Sequence, residues 1–195
     1  MAIRPTIQIG DPRLKATNKS IENFDDPKLA TLISDLTDSM HSAGLIGMAV
    51  PQIAENYTVF VTEPRETSTR SADQADEFRV YINPKIVEQS AETVEIFEGC
   101  GSVLEGQLFG PVVRPKVTTV EAFDQTGKKF RFTADGILGR VIQHEYDHML
   151  GIEFLEKISD YKRLMTVEHY VEQIKSLPEH QAACRIAVKE FEWVE

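Results

Sequence analysis

The chain of 195 residues has little cysteine, no long apolar run and no excess of positive charge. Its two cysteines, Cys100 and Cys184, are too few for a disulfide framework, which indicates a reducing compartment. The net charge of −10 argues against a nucleic-acid partner, because no basic footprint is present. No stretch has the length of a membrane span, and residues 1–10 lack the features of a secretory signal or transit peptide. We therefore expect a cytoplasmic protein with no membrane partner and no direct nucleic-acid specificity.

The remaining composition is that of a folded domain. Apolar residues make up 42% of the chain, which is enough for a hydrophobic core. The length corresponds to one domain, or to one domain with an appendage.

Hydrophobic periodicity predicts the first helix and the strands. Residues 27–43 have apolar side chains at helical spacing, with Asp25 or Asp26 as the cap, Pro27 at the first position and Gly44 as the stop. Residues 45–52 are predicted to be extended, and residues 63–78 to form a surface loop. Strands are expected at residues 57–62, 79–83 (closed by Pro84), 93–98, 116–124 and 129–133, the last two forming a hairpin.

The second half of the chain is predicted to be helical. Asp135 or Thr133 can cap a helix that Gly151 ends, and residues 159–176 form a helical pattern that Pro178 breaks. This order predicts an α+β fold. In it, antiparallel strands surround a central helix, with an N-terminal amphipathic helix and a helical C-terminal tail.

The central helix carries the pattern H-E-x-x-H at residues 144–148. His144 and His148 are one helical turn apart on the same face, so both imidazoles can reach one metal ion. Glu145 points about 100 degrees round the helix, where it can reach a water on the metal. The alternative is an ordinary helix with two surface histidines, so the pattern needs a third ligand to support it.

Three kinds of residue could supply that ligand. They are Cys100, a downstream acid such as Glu153 or Glu156, and a third histidine, His169 or His180. Cys100 lies between Gly99 and Gly101 at the end of an alternating strand, and the paired glycines indicate close approach by another group. A thiolate suits iron or zinc. Spacing alone leaves a ligand and a buried core cysteine equally open.

Three segments together resemble the peptide deformylase family. Residues 45–52 (LIGMAVPQ) resemble its first motif G-Φ-G-Φ-A-A-P-Q, residues 98–102 (EGCGS) its second motif E-G-C-L-S, and residues 143–151 (QHEYDHMLG) its third motif Q-H-E-x-D-H-L-x-G. The segment GDPRL at residues 10–14 and the dipeptide NP at residues 83–84 also match. The resemblance runs from about residue 5 to residue 157, which implies a catalytic domain at residues 1–158 and a mainly helical C-terminal extension at 159–195.

The resemblance implies a metal-dependent amide hydrolase. It would remove the formyl group from N-formylmethionine at the start of new polypeptides and release formate, with N-formylmethionyl peptides as partners and transient contact with the ribosome. The implied cofactor is one divalent metal ion, usually Fe(II), although Zn(II), Ni(II) or Co(II) fits the same ligands.

The same resemblance assigns roles to residues of this chain. The implied metal ligands are Cys100, His144 and His148; the implied catalytic residues are Glu145 as general acid and base, with Gln52 and the N–H of Gly101 polarising the formyl oxygen. The implied substrate-binding residues are Ile46, Gly47, Gly99, Ile137 and Val141. Gly47 would pair with the substrate backbone, while Ile137 and Val141 would line the methionine pocket or be plain helix core. Glu98 and Arg114 would pair behind the site, or each be solvated.

The chain departs from the family motifs at four positions. Leu45 replaces a glycine, Val50 an alanine, Gly101 a leucine and Met149 a leucine. Gly101 retains its N–H but loses a side chain, so we expect an altered pocket wall around an intact set of chemical groups. An alternative is therefore a deformylase-like protein with weak or altered acyl specificity that binds metal and peptide N-termini. A general H-E-x-x-H protease is disfavoured by the cysteine ligand.

Overall fold

The computed structural model of the chain describes residues 2–66 and 70–194. The helices are α1 (Pro27–Ser42), α2 (Gly136–Met149), α3 (Val167–Gln173) and α4 (Pro178–Cys184). The strands are β1 (Gly47–Ala49), β2 (Val59–Thr62), β3 (Arg79–Gln89), β4 (Thr93–Gly99), β5 (Leu108–Pro115), β6 (Thr118–Phe123), β7 (Lys129–Ala134), β8 (Met165–Thr166) and β9 (Lys189–Trp193). The predicted α+β class is confirmed. Within the described ranges, no helix is both long and apolar enough to cross a bilayer.

The strands form two antiparallel sheets. The larger sheet has the order β1-β2-β3-β6-β7-β9, and the smaller has the order β4-β5-β8. Strand β1 therefore lies at one edge of the larger sheet, with β2 as its hydrogen-bonded neighbour. This edge position leaves the other side of β1 without a neighbouring strand in the sheet.

Helix α1 forms because its capping residues and its apolar stripe agree. The Asp26 side chain accepts a hydrogen bond from the Lys28 N–H, and Pro27 takes the first helical position. The chain leaves the helix through Gly44, whose φ of +67° lies in the left-handed region. The buried face, which packs over β1 and β2, consists of Leu29, Ile33, Leu36 and Met40. The predicted helix is confirmed and ends one residue early.

Helix α2 is buried along most of its length. Leu138 and Ile142 pack against the inner face of the larger sheet in one cluster with Phe60, Tyr81 and Phe132. A helix enclosed in this way presents its polar side chains to the protein interior, where each requires a partner.

The start of α2 differs in one contact from the prediction. Asp135 precedes the helix as predicted, but its carboxylate accepts from the backbone N–H groups of Ala187 (2.7 Å) and Val188 (2.8 Å). The next residue, Gly136, has a φ of +57°, and a Cβ there would lie 2.2 Å from the Arg185 carbonyl oxygen. The chain therefore uses Asp135 to hold the C-terminal tail rather than to cap the helix.

The strands differ from the prediction in two places. Strand β3 does not end at Pro84 but continues to Gln89, because a register shift between Ile82 and Lys85 takes the proline out of the ladder. Strand β5 was not predicted at all, since Gly110 and its prolines conceal the alternation. It pairs with β4 over the whole length of β4.

The C-terminal tail contains two short strands as well as the helices α3 and α4. Residues 159–176 contain a short 3-10 turn, strand β8 and the two-turn helix α3. Strand β8 pairs with β5, and β9 pairs with β7, so the tail adds a strand to each sheet. Pro178 begins α4, where its missing N–H is harmless. The predicted loop at 63–78 contains a 3-10 turn at Ala72–Gln74, and residues 67–69 lie outside the described residues.

We predict that Asp135→Ala lowers the free energy of unfolding by about 1–3 kcal/mol, because two backbone N–H groups lose the carboxylate that accepts part-buried hydrogen bonds from them. Urea unfolding followed by circular dichroism measures the change. Asp160→Ala is the matched control, since Asp160 accepts one backbone bond at an exposed turn. Equal and small effects of the two substitutions would contradict this role.

Candidate metal centre

Three side chains that are distant in sequence converge beside α2. Cys100 follows β4, whereas His144 and His148 lie one turn apart on the helix, and their ligand atoms all lie within 4.8 Å of one another. Cys100 Sγ is 3.3 Å from His148 Nε2. Cys100 and His148 are 2% and 1% exposed, and His144 is 9% exposed. The alternative of two surface histidines is therefore wrong.

The other third-ligand candidates lie elsewhere or in less suitable positions. His180 contacts the Tyr170 hydroxyl at 3.1 Å, and His169 is exposed beside Glu172. Glu153 lies 3.9 Å from His148 Nδ1, on the side of that ring facing away from Cys100. Of the described residues, only one group of three has the geometry for an ion, and it contains Cys100.

A buried ionic group, the Glu98 cluster (Glu98, Arg114, Arg140, His144 and Asp147), positions one of these ligands. Arg114 donates to both Glu98 oxygens at 2.7 and 3.0 Å and to Asp147 at 2.5 Å. Arg140 donates to Glu98 at 2.8 Å. His144 Nδ1 is 2.9 Å from Glu98 Oε2, which leaves Nε2 as the ligand atom. The predicted pair of Glu98 with Arg114 is confirmed, and neither side chain is solvated.

Charges and burial within the Glu98 cluster and at His148 shift the pKa values of the site residues. Burial alone would raise the pKa of Glu98, but the charge of Arg114 and the bond with His144 hold that pKa well below its ordinary value. Burial would lower the pKa of His144, but its bonds with Cys100 and Glu98 hold it well above the ordinary value. Burial and the charge of His144 hold the pKa of His148 well below its ordinary value, so that imidazole is neutral.

These observations fit a divalent metal ion. One cysteine and two imidazoles form a donor set that suits zinc or iron, and three protein ligands leave a position open for a water molecule. The anionic Glu98, which holds His144 in one orientation, is the outer partner that such a ligand ordinarily has. The residues present therefore fit a metal site of the catalytic kind.

Glu145 lies beside this group. Burial raises the pKa of its carboxyl to about 7; the positive charge of His144 opposes this shift, and the negative charge of Glu98 adds to it. A Cβ on Gly47 would lie 2.7 Å from Glu145 Oε1 and 2.5 Å from Val141, so only glycine allows β1 to pass this close to α2. The carboxyl is thus held between the strand edge and the helix.

Gln52 is held by a 3-10 turn at Val50–Ile53. Its Oε1 accepts from the Ala49 N–H at 2.8 Å, and this bond directs the amide nitrogen to the other side. Nε2 lies 3.5 Å from Cys100 Sγ and 3.4 Å from Ser102 Oγ. An amide donor is therefore aimed at the centre.

A cavity of about 380 Å³ opens onto the candidate metal centre and is lined by the predicted site residues. Its lining includes Ile46, Gly47, Gln52, Gly99, Cys100, Gly101, Ile137, Val141, His144 and Glu145. Ile137 and Val141 thus face the cavity. A larger cavity of about 510 Å³ beside α1 has neither cysteine nor histidine in its lining.

Comparison with known proteins agrees with this geometry. Residues 3–164 match the family described as polypeptide deformylase. The chain belongs to that family. It is 37% identical over 168 residues to the peptide deformylase of Christiangramia forsetii, covering 83% of this chain and 84% of that protein.

Solved deformylase structures have a similar fold. A peptide deformylase from Legionella pneumophila superposes with a TM-score of 0.72 at 37% identity, covering 83% of this chain and 89% of that one. A Met-Ala-Ser-bound class I type b peptide deformylase from Acinetobacter baumannii gives 0.74 at 27% identity, covering 80% and 99% of the two chains.

The departures from the deformylase motifs have different structural consequences. Val50 and Met149 pack in the hydrophobic core, so they do not alter the cavity wall. Leu45 and Gly101 both line the cavity. A Cβ on Gly101 would lie 2.7 Å from Leu45 Cδ1. Leu45 therefore occupies space beside Gly101, which offsets the side chain that is lost there.

Sequence reasoning missed several polar residues of this deformylase site. Arg140 and Asp147 belong to the Glu98 cluster, while Arg70 and Lys175 line the cavity. The spacing of Arg140 four residues before His144 was a usable signal, because it places both side chains on one helix face. Arg70 and Lys175 lie in segments with no local pattern, and only the tertiary structure brings them to the cavity.

We predict that Gly101→Leu lowers the free energy of unfolding by about 1–3 kcal/mol, because the new side chain overlaps Leu45. Adding Leu45→Gly recovers part of that loss, with a coupling of about 0.5 kcal/mol or more. A double-mutant cycle from urea unfolding measures the coupling. Combining Gly101→Leu with Leu177→Gly is the control, since Leu177 lies in the tail. If the free-energy changes are additive in both pairs, the contact between residue 101 and Leu45 is contradicted.

Proposed function

We propose that the protein hydrolyses the formyl group of N-formylmethionyl peptides, releasing formate and a free amino terminus. The observation that carries the proposal is the convergence of Cys100, His144 and His148 beside the buried carboxyl of Glu145. Family membership over residues 3–164 supports the same reaction.

The free edge of β1 supports a binding mode for the substrate. An extended peptide can add to this edge as a further strand, because β2 occupies the other side. Gly47 presents backbone at this edge without a side chain to obstruct the approach. Ile46 and Gly99 flank the substrate, and Ile137 and Val141 contact its first side chain within the cavity.

Four groups of the chain perform the chemistry in this proposal. Gln52 Nε2 and the N–H of Gly101 donate to the formyl oxygen, where negative charge develops during attack by water. Glu145 takes a proton from the attacking water and passes it to the departing amine nitrogen, for which a pKa of about 7 is suitable. Cys100, His144 and His148 would hold one divalent metal ion, which when bound lowers the pKa of water and polarises the formyl oxygen.

The finer assignments follow from the same proposal. We assign Fe(II) as the metal ion, while the thiolate and imidazole set also suits Zn(II), Ni(II) or Co(II). N-formylmethionine occurs at the start of new chains, so the proposal places the enzyme in the cytoplasm with transient contact at the ribosome.

The test of the reaction is formate release from a formyl-Met-Ala-Ser peptide by anaerobically prepared protein. We expect Glu145→Gln to lower kcat about 10²- to 10⁴-fold, because proton transfer is lost. Metal content measured by atomic emission should stay unchanged in this variant. Glu192→Gln on the exposed strand β9 is the control. No formate from fully metal-loaded protein would refute the proposed reaction.

The metal assignment gives a separate prediction. Cys100→Ala should lower the bound metal after equilibrium dialysis by at least about tenfold, because one of three ligands is removed. Cys184→Ala is a matched control, since it is the other buried cysteine and lies beside His180. In the Co(II)-loaded protein, a thiolate charge-transfer band should be present for Cys184→Ala and absent for Cys100→Ala. Equal metal content in the two variants would contradict the ligand set.

A further inference from the structure

The cavity beside the metal centre contains more positive charge than the proposed chemistry uses. Arg70, Arg140 and Lys175 all line it, and we call them the cationic wall. The acidic residues of the lining are Glu98 and Glu145. A pocket that receives only an uncharged side chain has no need of three cations, because burying them is unfavourable.

One cation of the wall already has a counter-ion. Arg140 donates to Glu98 at 2.8 Å and to the carbonyl oxygens of Val112 (2.9 Å) and Val94 (2.7 Å). Glu98 is fully engaged, since Arg114 and His144 also bind it. It cannot balance further charge from the cavity.

Among the described residues, the other two cations have no such counter-ion. No described carboxylate lies within 4.0 Å of the Arg70 or Lys175 cationic group. Both residues are half-buried. Burial lowers the pKa of Arg70, and burial together with the nearby charge of Arg70 lowers the pKa of Lys175. Two like charges thus lie close together on one wall, an arrangement that an entering anion would stabilise.

The tail holds Lys175, one residue of this wall, in place. Tyr170 on α3 stacks on Phe109 with ring centroids 4.2 Å apart, and its hydroxyl bonds His180 at 3.1 Å. The Lys175 N–H donates to the Tyr170 carbonyl at 2.9 Å. Lys175 is therefore attached to a packed element rather than to a free surface segment.

The cationic wall is within reach of a substrate side chain. Arg140 precedes His144 by four residues, which is about 6 Å along the helix axis. A side chain that starts beside the reacting formyl group and enters the cavity past Val141 extends along α2 in this direction. A side chain of glutamate length extends toward the level of Arg140, and Arg70 and Lys175 line the same cavity.

We propose that the cavity selects formylated peptides whose first side chain ends in a carboxylate over those with an uncharged side chain of the same length. The inference rests on the proposed deformylase function for the placement of the substrate. Ile137, Val141 and Phe97 still provide apolar contact for methionine, so the wall adds a second substrate class to the first. The recognised substrate is an N-formylglutamyl peptide or a close analogue.

The decisive experiment compares formyl-Glu-Ala-Ser with formyl-Gln-Ala-Ser, both with amidated C-termini. Their dissociation constants are measured by calorimetry on metal-loaded Glu145→Gln protein, in which the proposed hydrolysis is slowed. We expect the glutamyl peptide to bind about tenfold more tightly, because charge-assisted hydrogen bonds replace neutral ones. Equal binding, or tighter binding of the glutaminyl peptide, would overturn the inference.

Substitutions in the cationic wall test whether it causes the preference for the glutamyl peptide. In Arg70→Gln/Lys175→Gln protein the glutamyl preference should fall to within about twofold of unity, whereas Lys28→Gln on α1 should retain it. A preference that survives in the double variant would show that the cationic wall does not cause it. A preference of formyl-Met-Glu-Ser over formyl-Met-Gln-Ser, without one at the first position, would place the anion outside this pocket and also refute the inference.

The two proposals fail in different ways. Absence of formate from wild-type protein with any peptide contradicts the hydrolase function, yet the binding comparison still decides the preference. Formate release with equal kcat/KM for the glutamyl and glutaminyl peptides, and equal binding, contradicts only the inference drawn from the cationic wall.

Discussion

The site depends on the hydrogen bonds and ion pairs that the buried carboxylate of Glu98 makes. It joins strand β4 to Arg114 of β5 and to Arg140 and His144 of α2. Charges in a protein interior are tolerated only when they are paired and hydrogen-bonded, and here Arg114 also donates to Asp147. Because Cys100 follows Glu98 by two residues, the same interaction sets the distance between the cysteine and the helix that carries both histidines.

Close backbone approach is the second constraint on the site. Gly47 allows the edge strand to pass Glu145 and Val141, and Gly99 allows the Phe109 ring to lie against β4. At Gly101 the missing side chain leaves room that Leu45 uses. Each glycine therefore has a particular neighbour, and the altered motif positions 45 and 101 are best understood as one packing arrangement.

The C-terminal tail is part of both sheets and of the cavity wall. Its strands join both sheets, and Asp135 holds its backbone at the start of α2. Through Tyr170 and Lys175 the tail completes a cavity wall that α2 alone would leave open. Helix α2 and the tail thus contribute to the same cavity.

The sequence by itself determined those structural elements that depend on interactions between residues close together in the chain. The capped helix α1, the strand pair β6–β7 and the histidine spacing on α2 depend on neighbouring residues, so they could be predicted. Residue spacing alone left Cys100 open, and the sequence missed β5 and the strands of the tail, because sheet pairing overrides local propensity. Only the tertiary structure decided that Arg70, Arg140 and Lys175 share one cavity, since their proximity depends on long-range packing that no local pattern encodes.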